Sequence, residues 1–114
     1  MNLCNVDPRQ LIPTEKIIPE SIPSLIQAIG LDKDRWPPII ILDELYILDG
    51  HHRREIALMH SFNHLPAYCF SYFDPKIKVF DYKDGTELDK VTLLKIYQSG
   101  TKFEPKTTRH VIEL

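Results

Sequence analysis

Nine prolines, at positions 8, 13, 19, 23, 37, 38, 66, 75 and 105, are scattered along the chain. Each fixes φ, removes a backbone donor and disfavours the α region in the residue before it, so helices and central strands stop there. The chain is therefore cut into short elements. After a mobile start, residues 10–18 read as an extended segment interrupted by Pro13. Ser21 is placed to cap a helix beginning near Pro23, with Leu25, Ile26 and Ile29 on one side and Gly30 as its stop.

The run Ile39-Ile40-Ile41-Leu42 has the continuous apolar character of a strand buried on both faces. Asp43-Glu44 is a turn, and Leu45-Tyr46-Ile47-Leu48 reads as a second buried strand ending at Asp49-Gly50. A helix over 51–62 follows, then a strand over 66–72. Residues 77–82 alternate apolar with polar, as a half-exposed strand does. A helix over 87–99, with Leu88, Val91, Leu94 and Tyr97 inward, stops at Gly100. The tail, 106–112, is extended. Strands and helices mixed in this order predict one small α+β domain over 1–114, with a mixed sheet and packed helices.

Composition narrows the function. With 114 residues, 43% of them hydrophobic, the chain has enough apolar surface for one core without staples. Fourteen basic against sixteen acidic side chains leave a net charge of −2, which argues against a broad nucleic-acid surface built on phosphate neutralisation. No apolar run approaches the roughly 20 residues needed to span a bilayer. The first residues lack the basic stretch and apolar core of a signal peptide, so the cytoplasm is the expected location. Cys4 and Cys69 are far apart and form no C-x-x-C pair, which removes a zinc ribbon or thioredoxin motif and reads as two free thiols. Four glycines, at 30, 50, 85 and 100, are too dispersed for either a dinucleotide fingerprint or a Walker loop.

The junction Asp49-Gly50-His51-His52-Arg53 carries the chemistry. A strand delivers the chain to a glycine turn and a helix begins at once, so the first turn presents unpaired N–H groups and the positive end of the dipole. Gly50 lets an anion approach the backbone. Three basic residues at a helix N-terminus oppose the dipole preference, an inconsistency that marks a binding site for an anion. Asp49 beside a phosphate calls for a bridging divalent metal or a hydroxyl donor, both features of phosphoryl transfer to an alcohol. As a purely structural residue, Asp49 would cap the helix.

The segment Ile47-Leu48-Asp49-Gly50-His51-His52-Arg53-Arg54, after Pro38-Ile39-Ile40-Ile41, resembles the signature of the ParB/sulfiredoxin superfamily, and within it the free L-serine kinases. The likeness continues through Leu65-Pro66-Ala67-Tyr68 and Tyr72-Phe73-Asp74, and recurs in Pro105-Lys106-Thr107-Thr108-Arg109-His110. The resemblance implies a ParB/sulfiredoxin-like fold and transfer of a phosphoryl group from ATP or ADP, with Mg²⁺, to the hydroxyl of free L-serine. It implies that Gly50, His51, His52 and Arg53 hold the nucleotide phosphates, and that Asp49 contacts the metal or the serine hydroxyl. Glu20 matches the family's catalytic Glu, and either it or Asp49 would draw the proton from the serine hydroxyl. Thr107, Thr108, Arg109 and His110 bind the substrate, with Tyr82 where the family has an aromatic. A second copy of the chain is the partner that would complete the pocket. The alternative is a non-enzymatic ParB-like nucleotide-binding module. A sulfiredoxin-type activity is disfavoured because His51 and His52 occupy the loop where that chemistry uses a Cys.

Overall fold

The computed structural model describes residues 2–113. Its strands are β1 (Asn2–Val6), β2 (Ile39–Leu42), β3 (Ile47–Asp49), β4 (Leu65–Phe70), β5 (Ile77–Asp81) and β6 (Thr108–Ile112). The helices are α1 (Ile22–Ile29), α2 (His51–Met59) and α3 (Lys90–Gln98), with 3-10 turns at Pro8–Gln10, Pro19–Ser21 and Lys33–Arg35. A four-stranded mixed sheet runs in the order β1-β4-β2-β3, and β5 and β6 form a separate antiparallel pair. β2 pairs parallel with β4 and antiparallel with β3. The predicted α+β class with a mixed sheet is what the chain adopts.

The four-stranded sheet is the middle layer, and alternation along each strand feeds two cores. Ile39 and Ile41 of β2, Ile47 of β3 and Leu65 and Ala67 of β4 face one side, where Ile22 of α1 and Ile56 and Ala57 of α2 cover them. Leu42, Leu48 and Phe70 face the other side, against Ile77 and Val79 of β5 and Leu93 and Tyr97 of α3. This is why the central run is apolar at every position: both faces are dry.

Three expectations change. The first residues are not a loose start: Asn2–Val6 is an edge strand paired antiparallel with β4, Cys4 opposite Ala67. Ser21 makes no side-chain cap bond, because the Pro19–Ser21 turn leads directly into α1. α3 begins later than predicted, since the Asp89 carboxylate accepts the N–H groups of Val91 and Thr92. Leu93 and Tyr97 are then the buried residues, and Val91 stands 46% exposed.

Between the second core and β6, the Tyr72 hydroxyl lies 2.8 Å from His110 Nε2 and 3.4 Å from the Tyr97 hydroxyl. His110 is buried, and its Nδ1 has no hydrogen-bond partner among the described residues. Burial, with the Lys90 charge adding to it, pulls the imidazole down to about 4; the Leu48 carbonyl favours the protonated ring without offsetting this. The unfolded ring titrates near 6.5, so this contribution to stability is complete above that pH and is lost as pH falls towards 4. The urea midpoint should therefore drop between pH 6.5 and 4.5. The drop should be smaller in His110→Gln, which has no proton to gain. Superimposable profiles for the two proteins would contradict the assignment.

Gly50 sits at φ +108, in the left-handed region, and a Cβ there would lie 2.7 Å from Ile39 Cβ and closer still to Ile39 Cγ2. Gly50→Ala should cost roughly 2 kcal/mol or more from backbone strain and overpacking together. Thermal unfolding reads this as a fall of about 8 °C or more for a domain of this size.

Candidate functional site

β3 ends at Asp49, Gly50 turns the chain, and α2 starts at His51. No side chain caps this helix, and its first backbone bond runs from the Arg54 N–H to the Gly50 carbonyl at 2.9 Å. Among the described residues no acceptor meets the N–H groups of His51, His52 and Arg53. The turn therefore offers an anion three convergent donors at the positive end of the helix dipole.

The two imidazoles are not part of that offer. His51 is 8% exposed, and its Nε2 accepts the N–H of Thr14 at 3.0 Å and of Glu15 at 3.1 Å. A ring nitrogen accepting two N–H groups carries no proton, so Nδ1 holds it. Burial pulls His51 down to about 3, with His52, His110, Arg54 and Lys102 adding to the shift. His52 Nε2 accepts the Ile18 N–H at 2.9 Å, and burial, then Lys106, lowers this ring as well. The expectation that both histidines bring donors and positive charge to the phosphates is corrected here: their rings are neutral acceptors, and their backbones remain the donors.

Arg53 donates to the Pro37 carbonyl at 2.5 Å and to Asp49 Oδ2 at 3.2 Å. Its charge is thereby spent on the acid at the end of β3, while the Asp49 side chain stays 58% exposed and able to meet a ligand.

A cavity of about 280 Å³ opens in front of this turn, lined by Asp49, Gly50, His51, His52 and Arg53 on one wall. Tyr82, Lys106 and Thr108 form another wall, and Glu15 lies between. Tyr82 is held there because β5 and β6 stay paired past their ends, the Tyr82 N–H donating to the Thr107 carbonyl at 3.0 Å. Glu15, 8% exposed, accepts three hydrogen bonds: the Lys106 N–H at 2.9 Å on Oε1, and the Thr108 N–H at 3.2 Å and hydroxyl at 2.7 Å on Oε2. Oε1 keeps one lone pair free for a ligand proton.

Strand alternation divides the terminal motif. Thr108 turns inward to the cavity, and His110 turns inward to the core behind it. Arg109 is exposed, its guanidinium 5.8 Å from the centre of the Phe80 ring. The Thr107 hydroxyl donates to the Glu104 carbonyl at 2.6 Å. Glu20 is exposed on the Pro19–Ser21 turn and does not line the cavity. Glu15, which the sequence reading did not single out, lines the cavity where Glu20 does not. No local pattern singles it out, because its partners lie about ninety residues further along the chain. Lys106, read as a point charge within the terminal motif, also reaches the cavity.

No protein-family model matches the chain. Over 79 residues it is 29% identical to the ATP-dependent L-serine kinase of Staphylothermus marinus, a stretch covering 65% of this chain and 31% of that protein. Over 77 residues it is 30% identical to a ParB-like protein of Sulfolobus acidocaldarius, covering 68% of this chain and 39% of that one. The chain thus spans between 31% and 39% of the length of these curated relatives. Among solved structures, a free serine kinase in complex with AMP superposes with a TM-score of 0.78 at 13% identity, over 98% of this chain and 88% of that one. A glutamate-to-alanine variant of a free serine kinase, in complex with ADP, gives the same score at 12% identity and the same coverage. A conserved hypothetical protein from Pyrococcus furiosus reaches 0.79 at 15% identity, over 98% of this chain and 91% of that one. The chain is a homologue of proteins named ATP-dependent L-serine kinase and ParB-like protein, and it is built on the free serine kinase fold.

Proposed function

We propose that this domain transfers a phosphoryl group from ATP or ADP to the hydroxyl of free L-serine, giving O-phospho-L-serine. The observation that carries the reading is one cavity bordered by an open helix N-terminus and by two carboxylates, Asp49 and Glu15. The names of the serine kinase relatives, and the AMP and ADP in their complexes, support it. In this reading the N–H groups of His51, His52 and Arg53 receive the phosphate oxygens and stabilise the transferring charge. Glu15, held by three donors with a lone pair to spare, accepts the proton of the serine hydroxyl. Lys106 supplies a cation, and Thr108 and Tyr82 shape the acceptor side. Glu20, Thr107, Arg109 and His110 lie outside the cavity lining and have no direct part in this assignment.

Among the described residues, no three His, Cys, Asp or Glu side chains converge to hold an ion on their own. Mg²⁺ arriving with a nucleotide keeps phosphate oxygens and waters as most of its ligands and takes one or two carboxylates, so the exposed Asp49 fits as its protein ligand. Bound there, it would neutralise charge on the phosphates. No helix among the described residues is long and apolar enough to cross a membrane.

A second reading is a ParB-like module that binds nucleotide without transferring its phosphate; one relative carries the name ParB-like protein. Incubation with ATP or ADP, Mg²⁺ and L-serine, followed by mass spectrometry, separates the two. Phosphoserine is the expected product. Calorimetric nucleotide binding with no product from either donor would establish the module instead.

Two variants test the roles. Glu15→Gln should lower kcat by roughly 10²–10⁴-fold, the range of a lost general base, with the Kd for ADP within about threefold. Asp49→Asn should reduce turnover more than nucleotide affinity in the same pair of assays. Equal losses of both would make Asp49 a structural helix partner of Arg53.

A further inference from the structure

We infer that the His51-His52 pair is a clamp that positions Glu15, and that neither imidazole is a phosphate ligand. The inference rests on the reading of Glu15 as the proton acceptor. Two consecutive N–H groups, those of Thr14 and Glu15, converge on the single lone pair of His51 Nε2 at 3.0 and 3.1 Å. Thr14 Oγ1 lies 3.2 Å from the same nitrogen, and its proton goes to the Ile47 carbonyl at 2.7 Å, so the hydroxyl ties the segment to β3 as well. His52 Nε2 takes the Ile18 N–H at 2.9 Å three residues further on. The stretch 14–18 is thereby pinned at both ends to the first turn of α2.

The other side of this stretch bonds to the 103 region, with the Phe103 N–H donating to the Thr14 carbonyl at 2.9 Å and the Lys16 N–H to the Phe103 carbonyl at 2.8 Å. Thr14 and Glu15 are buried, so without the ring their N–H groups would lose their acceptor. One residue, His51, therefore carries both the backbone N–H that faces the anion and the ring that holds the base. The His51 side chain is thus one of the ties that set the distance between phosphoryl group and base, beside His52, Phe103 and the Lys106–Thr108 donors. A misplacement of about 1 Å costs on the order of a hundredfold in rate, which is the physical reason to clamp this segment rather than leave it as a loop.

The test uses the full chain with ¹⁵N-labelled histidine, backbone amide exchange, ADP calorimetry and the serine assay. In the unsubstituted protein the His51 imidazole should show the neutral tautomer with the proton on Nδ1; a proton on Nε2 would overturn the clamp whether or not any variant folds. His51→Leu removes the acceptor. Amide exchange at Thr14 and Glu15 should then accelerate by about tenfold or more, and kcat should fall by roughly a hundredfold, with the Kd for ADP within about threefold of the parent. His51→Gln, whose side-chain carbonyl reaches the Nε2 position, should restore exchange protection and most of kcat. Loss of ADP affinity as large as the loss of kcat would make the ring a phosphate ligand and defeat the proposal, as would unchanged exchange at Thr14 and Glu15. Should the parent make no phosphoserine, the kinase reading fails, and the tautomer, exchange and ADP arms still decide the clamp.

Discussion

Backbone against side chain at Gly50 and Ile39 is the contact on which the site depends. Ile39 opens β2 at the centre of the sheet and faces the core beneath α1 and α2. The chain passes so close to it at position 50 that no Cβ fits, and the turn is left-handed. α2 therefore starts at a fixed height above the sheet. From there Ile56 and Ala57 reach the core, His51 reaches the stretch behind it, and the first turn of the helix lines the cavity. A bulkier turn would lift the helix and separate all three at once.

The electrostatics follow from the same geometry. Three basic residues at a helix N-terminus look unfavourable, yet two of them are neutral rings accepting hydrogen bonds, and the third pairs with Asp49 and a carbonyl. The open donors of this turn are backbone groups, and they coexist with a net charge of −2. Glu15 is managed the same way. Three donors from the Lys106–Thr108 stretch hold its carboxylate in a buried wall, so it need not borrow a cation.

Much of the architecture is legible in the order of residues. The unbroken apolar run 39–42 belongs to a strand with two dry faces, and Ile39/Ile41 and Leu42 do part company between two cores. The alternation over 77–81 marks the outer pair of strands, and Gly30 and Gly100 follow the ends of α1 and α3. The first strand was not legible, because Asn2–Val6 is a strand only through its pairing with β4, about sixty residues away. On α3 the predicted inward Tyr97 is buried and Leu88 and Leu94 pack against the second core, but Leu93 takes the buried place expected of Val91, which is exposed. In the terminal motif, the run of polar residues conceals a period of two that sends Thr108 and His110 to one side and Arg109 to the other.

Residue order therefore carries whatever depends on neighbours: where elements begin and end, which strands are dry on both sides, and that a helix starts at a glycine turn with its first N–H groups open. Which of two nearby acids stands in the cavity, and whether a histidine gives or accepts a proton there, are settled by contacts across thirty-seven and ninety-three residues of chain. Periodicity and capping are local energies, visible within a few residues. Lone pairs and buried carboxylates find their partners only when sheet register has brought remote segments together, and no short stretch of sequence encodes that register alone.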